Sequence, residues 1–140
     1  MRKIDKIIIH CSATPEGRDY TVAQIRDWHV RGNGWSDIGY HYVIYRDGSI
    51  HPGRPIGVAG AHTKGHNAQS VGICLIGGCA TDGKTPKDTR THEQRVALVN
   101  LVKQLKATFG PDVTVHGHNE FAAKACPSFN VKTDQDLCAL

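Results

Sequence analysis

Nine histidines stand in a chain of 140 residues, and three of them, His10, His116 and His118, fall at the expected ends of strands. Strand ends are rigid places to mount ligands. Zinc takes His nitrogen and Cys sulfur, and a catalytic zinc keeps three protein ligands with one position open for water. His10, the segment His116-Gly117-His118 and the later Cys126 offer that set. Residues two apart on a strand share a face, so periodicity alone leaves His116 and His118 as alternatives. Each histidine by itself has the plainer reading of a hydrogen-bonded surface or core residue, and it is the grouping that points to a metal. Hydrogen-bonding side chains that would surround such a centre are Tyr40, Lys124 and the stretch His62-Thr63-Lys64-Gly65-His66-Asn67. Without the metal, Tyr40 reads as a packed aromatic and Lys124 as a solvated charge.

Two other chemistries compete. Gly78-Cys79-Ala80-Thr81-Asp82-Gly83-Lys84-Thr85 satisfies the phosphate-binding pattern GxxxxGK[ST] and follows an apolar strand. In a phosphate-binding loop, however, the Lys and Thr open a helix, whereas Pro86 and polar Lys87 to Arg90 delay the helical signal to Thr91. No later strand ends in an Asp to hold magnesium, so the match reads as a solvated, glycine-containing loop. A glycosidase needs two carboxylates at a defined separation, and Asp37, Asp47 and Glu120 show no such pairing in the sequence.

The elements that must position these groups follow from pattern. Ile4 to Cys11 reads as a strand buried on both faces and Ser70 to Gly77 as a second. Thr21 and Gln24 form a capping box for a helix with Val22, Ile25, Trp28 and His29 on one stripe, stopped at Gly32. Tyr40 to Tyr45 and Ile50 read as strands joined by the turn Arg46-Asp47-Gly48-Ser49. Gly78 to Arg90 is expected to be an exposed loop. Thr91 and Gln94 cap the longest helix, with Val96, Val99, Val102, Leu105 and Phe109 as its buried face and Gly110-Pro111 as its stop. Val113 to His118 closes the set of strands, and Asn130 caps a short terminal helix. The fold class is α/β: one domain over residues 1–140, a mixed central β-sheet flanked by helices.

Composition narrows the class further. With 39% apolar and 21% charged residues the chain is built to pack a core. No apolar run approaches the roughly twenty residues that cross a bilayer, so membrane insertion is not expected. The amino terminus lacks a secretory apolar region, which places synthesis in the cytoplasm. Five cysteines, odd in number and without a CxxC pair, read as reduced thiols. A net charge of +4 favours anionic partners, but the basic residues are scattered with no aromatic-basic stripe, so nucleic acid is not expected.

Taken in order, Ile7-Ile8-Ile9-His10-Cys11-Ser12-Ala13-Thr14, Gly34-Trp35 through Gly39-Tyr40-His41-Tyr42, Gly60-Ala61-His62, Asn67 to Ser70 with Val71-Gly72-Ile73, and His118-Asn119-Glu120 through Lys124-Ala125-Cys126-Pro127-Ser128-Phe129 resemble a known family. The chain is similar to the zinc-dependent N-acetylmuramoyl-L-alanine amidases of the amidase-2 and peptidoglycan-recognition-protein superfamily, most of all to the small phage lysozyme (endolysin) type. The resemblance implies one Zn2+ held by His10, His118 and Cys126, which selects His118 over His116. It further implies catalytic roles for Tyr40 and Lys124 and places His62 and Asn67 along the peptide-binding groove. The implied substrate is peptidoglycan or a muropeptide, cut by a monomer at the amide between N-acetylmuramic acid and L-alanine. The implied setting is phage-type lysis, the wall being reached through a membrane lesion. A cytoplasmic muropeptide-recycling amidase and a non-catalytic muropeptide-binding module are the alternatives, and the presence of Cys126 favours catalysis.

Overall fold

The computed structural model describes residues 1–140. Its centre is strand β1 (Lys6–Cys11), whose last five residues are all buried. That strand runs parallel to β5 (Ser70–Leu75) on one side and to β7 (Thr114–Gly117) on the other. Outside β5 lie β3 (Tyr42–Ile44), parallel to it, and β4 (Ile50–Pro52), antiparallel to β3. The resulting five-stranded mixed sheet has the order β4-β3-β5-β1-β7.

Side-chain alternation along these strands divides the core in two. Ile7 and Ile9 of β1 join Val71, Ile73 and Leu75 of β5 and Ile44 of β3 in the larger cluster. That cluster is roofed by α2 (His92–Phe109) through Leu98, Leu101, Val102 and Leu105. The opposite face carries Val43 and Cys74 packed with Val22, Ile25, Ile38 and Ile76. His10 falls on this second face because it alternates with Ile9. A single strand thus supplies core to one side and chemistry to the other.

Both capping boxes form. Thr21 and Gln24 cap α1 (Val22–Asp27), and Thr91 and Gln94 cap α2. Gln94 does more than cap: fully buried, its Nε2 donates to the carbonyls of Ile44 at 3.2 Å and Ile76 at 3.0 Å, tying the helix start to the ends of β3 and β5. The hairpin turn closes as Asp47 Oδ1 accepts from the Ser49 amide at 2.9 Å, and Gly48 takes φ +87° with the Glu93 backbone pressed against it.

Several expectations are corrected. The first helix is α-helical only to Asp27 and continues as a π-helical turn over Trp28–Gly32, leaving Trp28 42% exposed. On α2, Val96 is 47% exposed. Steps of three residues each fall about 60° short of a full turn, so Val96 and Leu105, three such steps apart, lie on opposite sides of the helix. The buried face is carried instead by Gln94, Ala97, Leu98, Leu101, Val102 and Leu105, with Val99 and Phe109 at its margin. The hairpin strand starts at Tyr42, so Tyr40 and His41 precede it.

The Gly78 to Arg90 segment begins as strand β6 (Gly78–Cys79), paired in parallel with β2 (Thr14–Pro15). The phosphate-binding pattern within it is a tight turn. Asp82 Oδ1 accepts from the amides of Lys84 at 2.8 Å and Thr85 at 2.9 Å, which occupies the donors a phosphate would need. No helix starts until His92. The three carboxylates of the glycosidase alternative are also committed elsewhere: Asp37 to Arg26 and the Ile38 amide, Asp47 to its turn, and Glu120 to His116 and the Gly117 amide.

Candidate metal centre

Three elements converge at the carboxyl ends of the central strands. β1 delivers His10, the 3-10 turn His118–Glu120 directly after β7 delivers His118, and the irregular segment that follows delivers Cys126. One ligand atom from each of these three side chains lies within 4.8 Å of the others. A tetrahedral zinc with bonds of about 2.0–2.3 Å spaces its ligands at roughly 3.3–3.8 Å, so the three side chains could hold such an ion after small adjustments. His116 takes no part. On edge strand β7, it is held by Thr114 Oγ1 at 2.7 Å and Glu120 Oε1 at 2.9 Å.

The chemistry of the donor set suits a divalent ion. His10 is 1% exposed, and burial, reinforced by His62, His118 and Lys124, holds it well below the ordinary imidazole range. Burial and the Lys124 charge lower His118 as well. Both rings are therefore neutral, the form that binds metal. The Sγ of Cys126 accepts from the Cys11 amide at 3.2 Å and lies 3.7 Å from His10 Nδ1. The adjoining Cys11 thiol, then burial, push the Cys126 thiol up, so its metallation releases a proton.

Beneath the triad lies a third histidine that the sequence placed only along the groove. His62 Nδ1 is 2.8 Å from His10 Nε2, and Thr63 Oγ1 is 3.0 Å from the same His62 nitrogen. With Nδ1 of His10 turned to Cys126, its Nε2–H donates to His62, whose Nε2–H in turn reaches Ser70 Oγ at 3.3 Å. Such outer partners fix the tautomer and orientation of a ligating imidazole. His62 can lie flat against β5 only because residue 72 is glycine: a Cβ there would sit 2.6 Å from the His62 ring. Burial, then the neighbouring His41, lowers the His62 pKa to about 3.

Asn67 faces inward, its Oδ1 accepting from the amides of His62 and Thr63, both at 2.9 Å. It shapes the loop that carries His62. Tyr40 packs its ring 5.1 Å from that of His10 and 5.4 Å from that of His29. Burial, followed by the thiols of Cys74, Cys126 and Cys11, lifts the Tyr40 phenol well above its usual range, so it remains a neutral donor. His29, read from the sequence only as part of the helical stripe, accepts from the Gly39 amide at 2.9 Å and packs on Trp35, which props the Tyr40 segment. A groove of about 540 Å³ opens beside the triad, lined by His62, His118, Lys124, Trp35 and Phe121 among others.

Comparison with known proteins identifies the family. The family model Amidase_2, N-acetylmuramoyl-L-alanine amidase, matches residues 1–129. The endolysin of Escherichia phage T7 is 42% identical over 128 residues, 91% of this chain and 83% of that one. The endolysin of Enterobacteria phage K11 is 40% identical over 131 residues, 94% of this chain and 85% of that one. Among solved structures, Drosophila PGRP-LB aligns with a TM-score of 0.81 at 28% identity, covering 98% of this chain and 84% of that chain. The N-acetylmuramoyl-L-alanine amidase LysC from Clostridium intestinale aligns with a TM-score of 0.78 at 28% identity, covering 92% and 79%. A mutant of Drosophila PGRP-LB has been solved in complex with tracheal cytotoxin. This chain belongs to the Amidase_2 family of N-acetylmuramoyl-L-alanine amidases.

Proposed function

We propose that the chain hydrolyses the amide joining the lactyl group of N-acetylmuramic acid to the L-alanine of the stem peptide, using one zinc ion held by His10, His118 and Cys126. The observation that carries this reading is the convergence of two neutral imidazoles and an amide-anchored thiol at the edge of a groove. Amide resonance makes the scissile carbonyl a poor electrophile, and zinc, when bound, supplies the Lewis acidity that activates both carbonyl and water.

The chain's own groups do the rest. Lys124 lines the groove beside His118 and offers a cationic donor to the oxygen on which negative charge develops. Tyr40, held neutral with its ring 5.1 Å from that of His10, would offer its hydroxyl as a donor to the tetrahedral intermediate. His62 keeps the Nδ1 of His10 free to coordinate by receiving the proton on Nε2. His62 and Asn67 together form the wall along which the stem peptide lies. The similarity to phage endolysins supports a role in lysis of the bacterial wall.

Chelation is the first test. Loss of wall cleavage in chelator with recovery on added zinc is expected, and Cys126→Ser should lose stoichiometric zinc and activity together. Stoichiometric zinc with full activity in Cys126→Ser would overturn the ligand assignment.

A further inference from the structure

The groove holds a second cation that the hydrolytic chemistry leaves unused. Lys64 lines it together with Lys124, and no Asp or Glu is among the lining residues. The lysines that form ion pairs are Lys6, Lys87 and Lys132, whereas Lys64 forms none. Glu120, the acid adjoining this end of the groove, is occupied by the Gly117 amide at 2.7 Å and by His116 at 2.9 Å.

The backbone that presents Lys64 is fixed from several sides. The Asn67 carboxamide holds the amides of His62 and Thr63, the His66 amide donates to the Thr63 carbonyl at 3.0 Å, and Gly65 turns the chain at φ +83°. The His66 ring then packs on Phe121, with centroids 4.2 Å apart, pinning the loop to the segment that follows His118. Lys64 thus lines the groove from a fixed stretch of backbone. Lys124 acts electrostatically on His10 and His118. Lys64 reaches the groove on the His62–Asn67 stretch and Lys124 on the segment after His118, so the two cations are presented by different parts of the chain and Lys64 is free to serve recognition.

Resting on the amidase reading, we infer that Lys64 binds a free carboxylate carried by the stem peptide beyond the scissile alanine, and so makes the protein select acidic over amidated stem peptides. An unpaired cation in an acid-free groove gives up no existing ion pair on meeting that carboxylate. Because the lysine is exposed, water screens the attraction, and the preference is expected to be modest, about two- to fivefold.

The test uses two soluble muropeptides identical except that the residue after L-alanine bears a carboxylate in one and a carboxamide in the other. The zinc-loaded protein should cut the carboxylate form with a several-fold lower KM and a similar kcat. In Lys64→Gln the two KM values should converge, and Lys64→Arg should restore the difference. Equal KM values in the unmodified protein, or a preference that persists in Lys64→Gln, would overturn the inference. Calorimetric titration of both muropeptides into the metal-free protein reads the same preference without hydrolysis. Failure to cut either peptide, with the binding preference intact, would count against the amidase reading and not against Lys64. Equal affinities would remove Lys64.

Discussion

Nε2 of His10 lies 2.8 Å from Nδ1 of His62, so the proposed zinc ligand and the histidine beneath it share one proton. This contact dictates which nitrogen of His10 faces Cys126. His62→Ala is expected to leave the fold intact and weaken zinc binding about 10- to 100-fold, the usual consequence of removing an outer-shell partner. Competition with a chromogenic chelator measures it, and unchanged affinity would mean that His62 only lines the groove.

Gly72 supports the same contact from below. Adding a methyl group places a carbon 2.6 Å from the His62 ring, and the ring must move. Gly72→Ala should therefore reproduce much of the zinc-affinity loss of His62→Ala, and the double variant should add little to either one. Additive losses in a chelator titration would show that the two positions act separately.

How far the sequence reaches can be seen at these positions. The grouping of His10, His118 and Cys126 is legible as a candidate because two histidines at strand ends are followed by a cysteine, although choosing between His116 and His118 needed the resemblance to known amidases. The geometry now gives the reason: His116 is bound by Thr114 and Glu120, while His118 lies past the strand end. Strands β1 and β5 and both capping boxes are written in local residue patterns. The burial of His62 under His10 is not, because it depends on a contact 52 residues away in the chain and on the bare surface of Gly72. The short β2–β6 ladder was likewise illegible, since two-residue strands carry no period. The misjudged face of α2 came from following valines in steps of three past Leu98 and Leu101, which carry the core.

Lys124 and Tyr40 are assigned to the transition state and not to the metal. Lys124→Ala and Tyr40→Phe are each expected to lower kcat by roughly a hundredfold, the scale of losing one donor to a developing oxyanion. Zinc content should stay at one per chain. A variant that lost its zinc would owe its defect to the ligand cage instead.

His41 gives the fold a calculable response to acid. Its Nδ1 accepts from the Gly72 amide at 3.0 Å and its Nε2–H donates to the Val58 carbonyl at 2.8 Å, with Arg2 only 3.1 Å from Nε2. Burial lowers its pKa to about 4; the Val58 bond opposes this, while the Arg2 and Arg54 charges add to it. His62, 5.9 Å away ring to ring, is the other titratable neighbour. The folded state thus binds fewer protons than the unfolded chain, where histidine titrates near 6.5. The contribution of His41 is complete above pH of about 6.5 and is lost as the pH falls towards 4, at up to about 1.4 kcal/mol per pH unit. Urea denaturation of the metal-free protein at pH 7 and 4.5 should show a smaller decline in His41→Asn than in the unmodified chain. Equal declines would assign the acid sensitivity to other groups.

Arg90 anchors the carboxyl-terminal segment. Its side chain is 6% exposed, pairs with Asp134 at 2.6 Å and Asp88 at 2.8 Å, and stacks 3.5 Å over Phe129. Removing one member of a buried pair strands the other charge, so Arg90→Ala should destabilise the protein by about 3–5 kcal/mol in denaturant unfolding. A loss below about 1 kcal/mol would mean that Asp134 gains water instead.

The bond that is cut decides the central claim most directly. Purified peptidoglycan is digested with the zinc-loaded protein, and newly exposed amino termini and reducing sugar ends are counted in the same digest. Free N-terminal L-alanine should appear without any rise in reducing ends. New reducing ends, or amino termini belonging to a residue other than L-alanine, would contradict it.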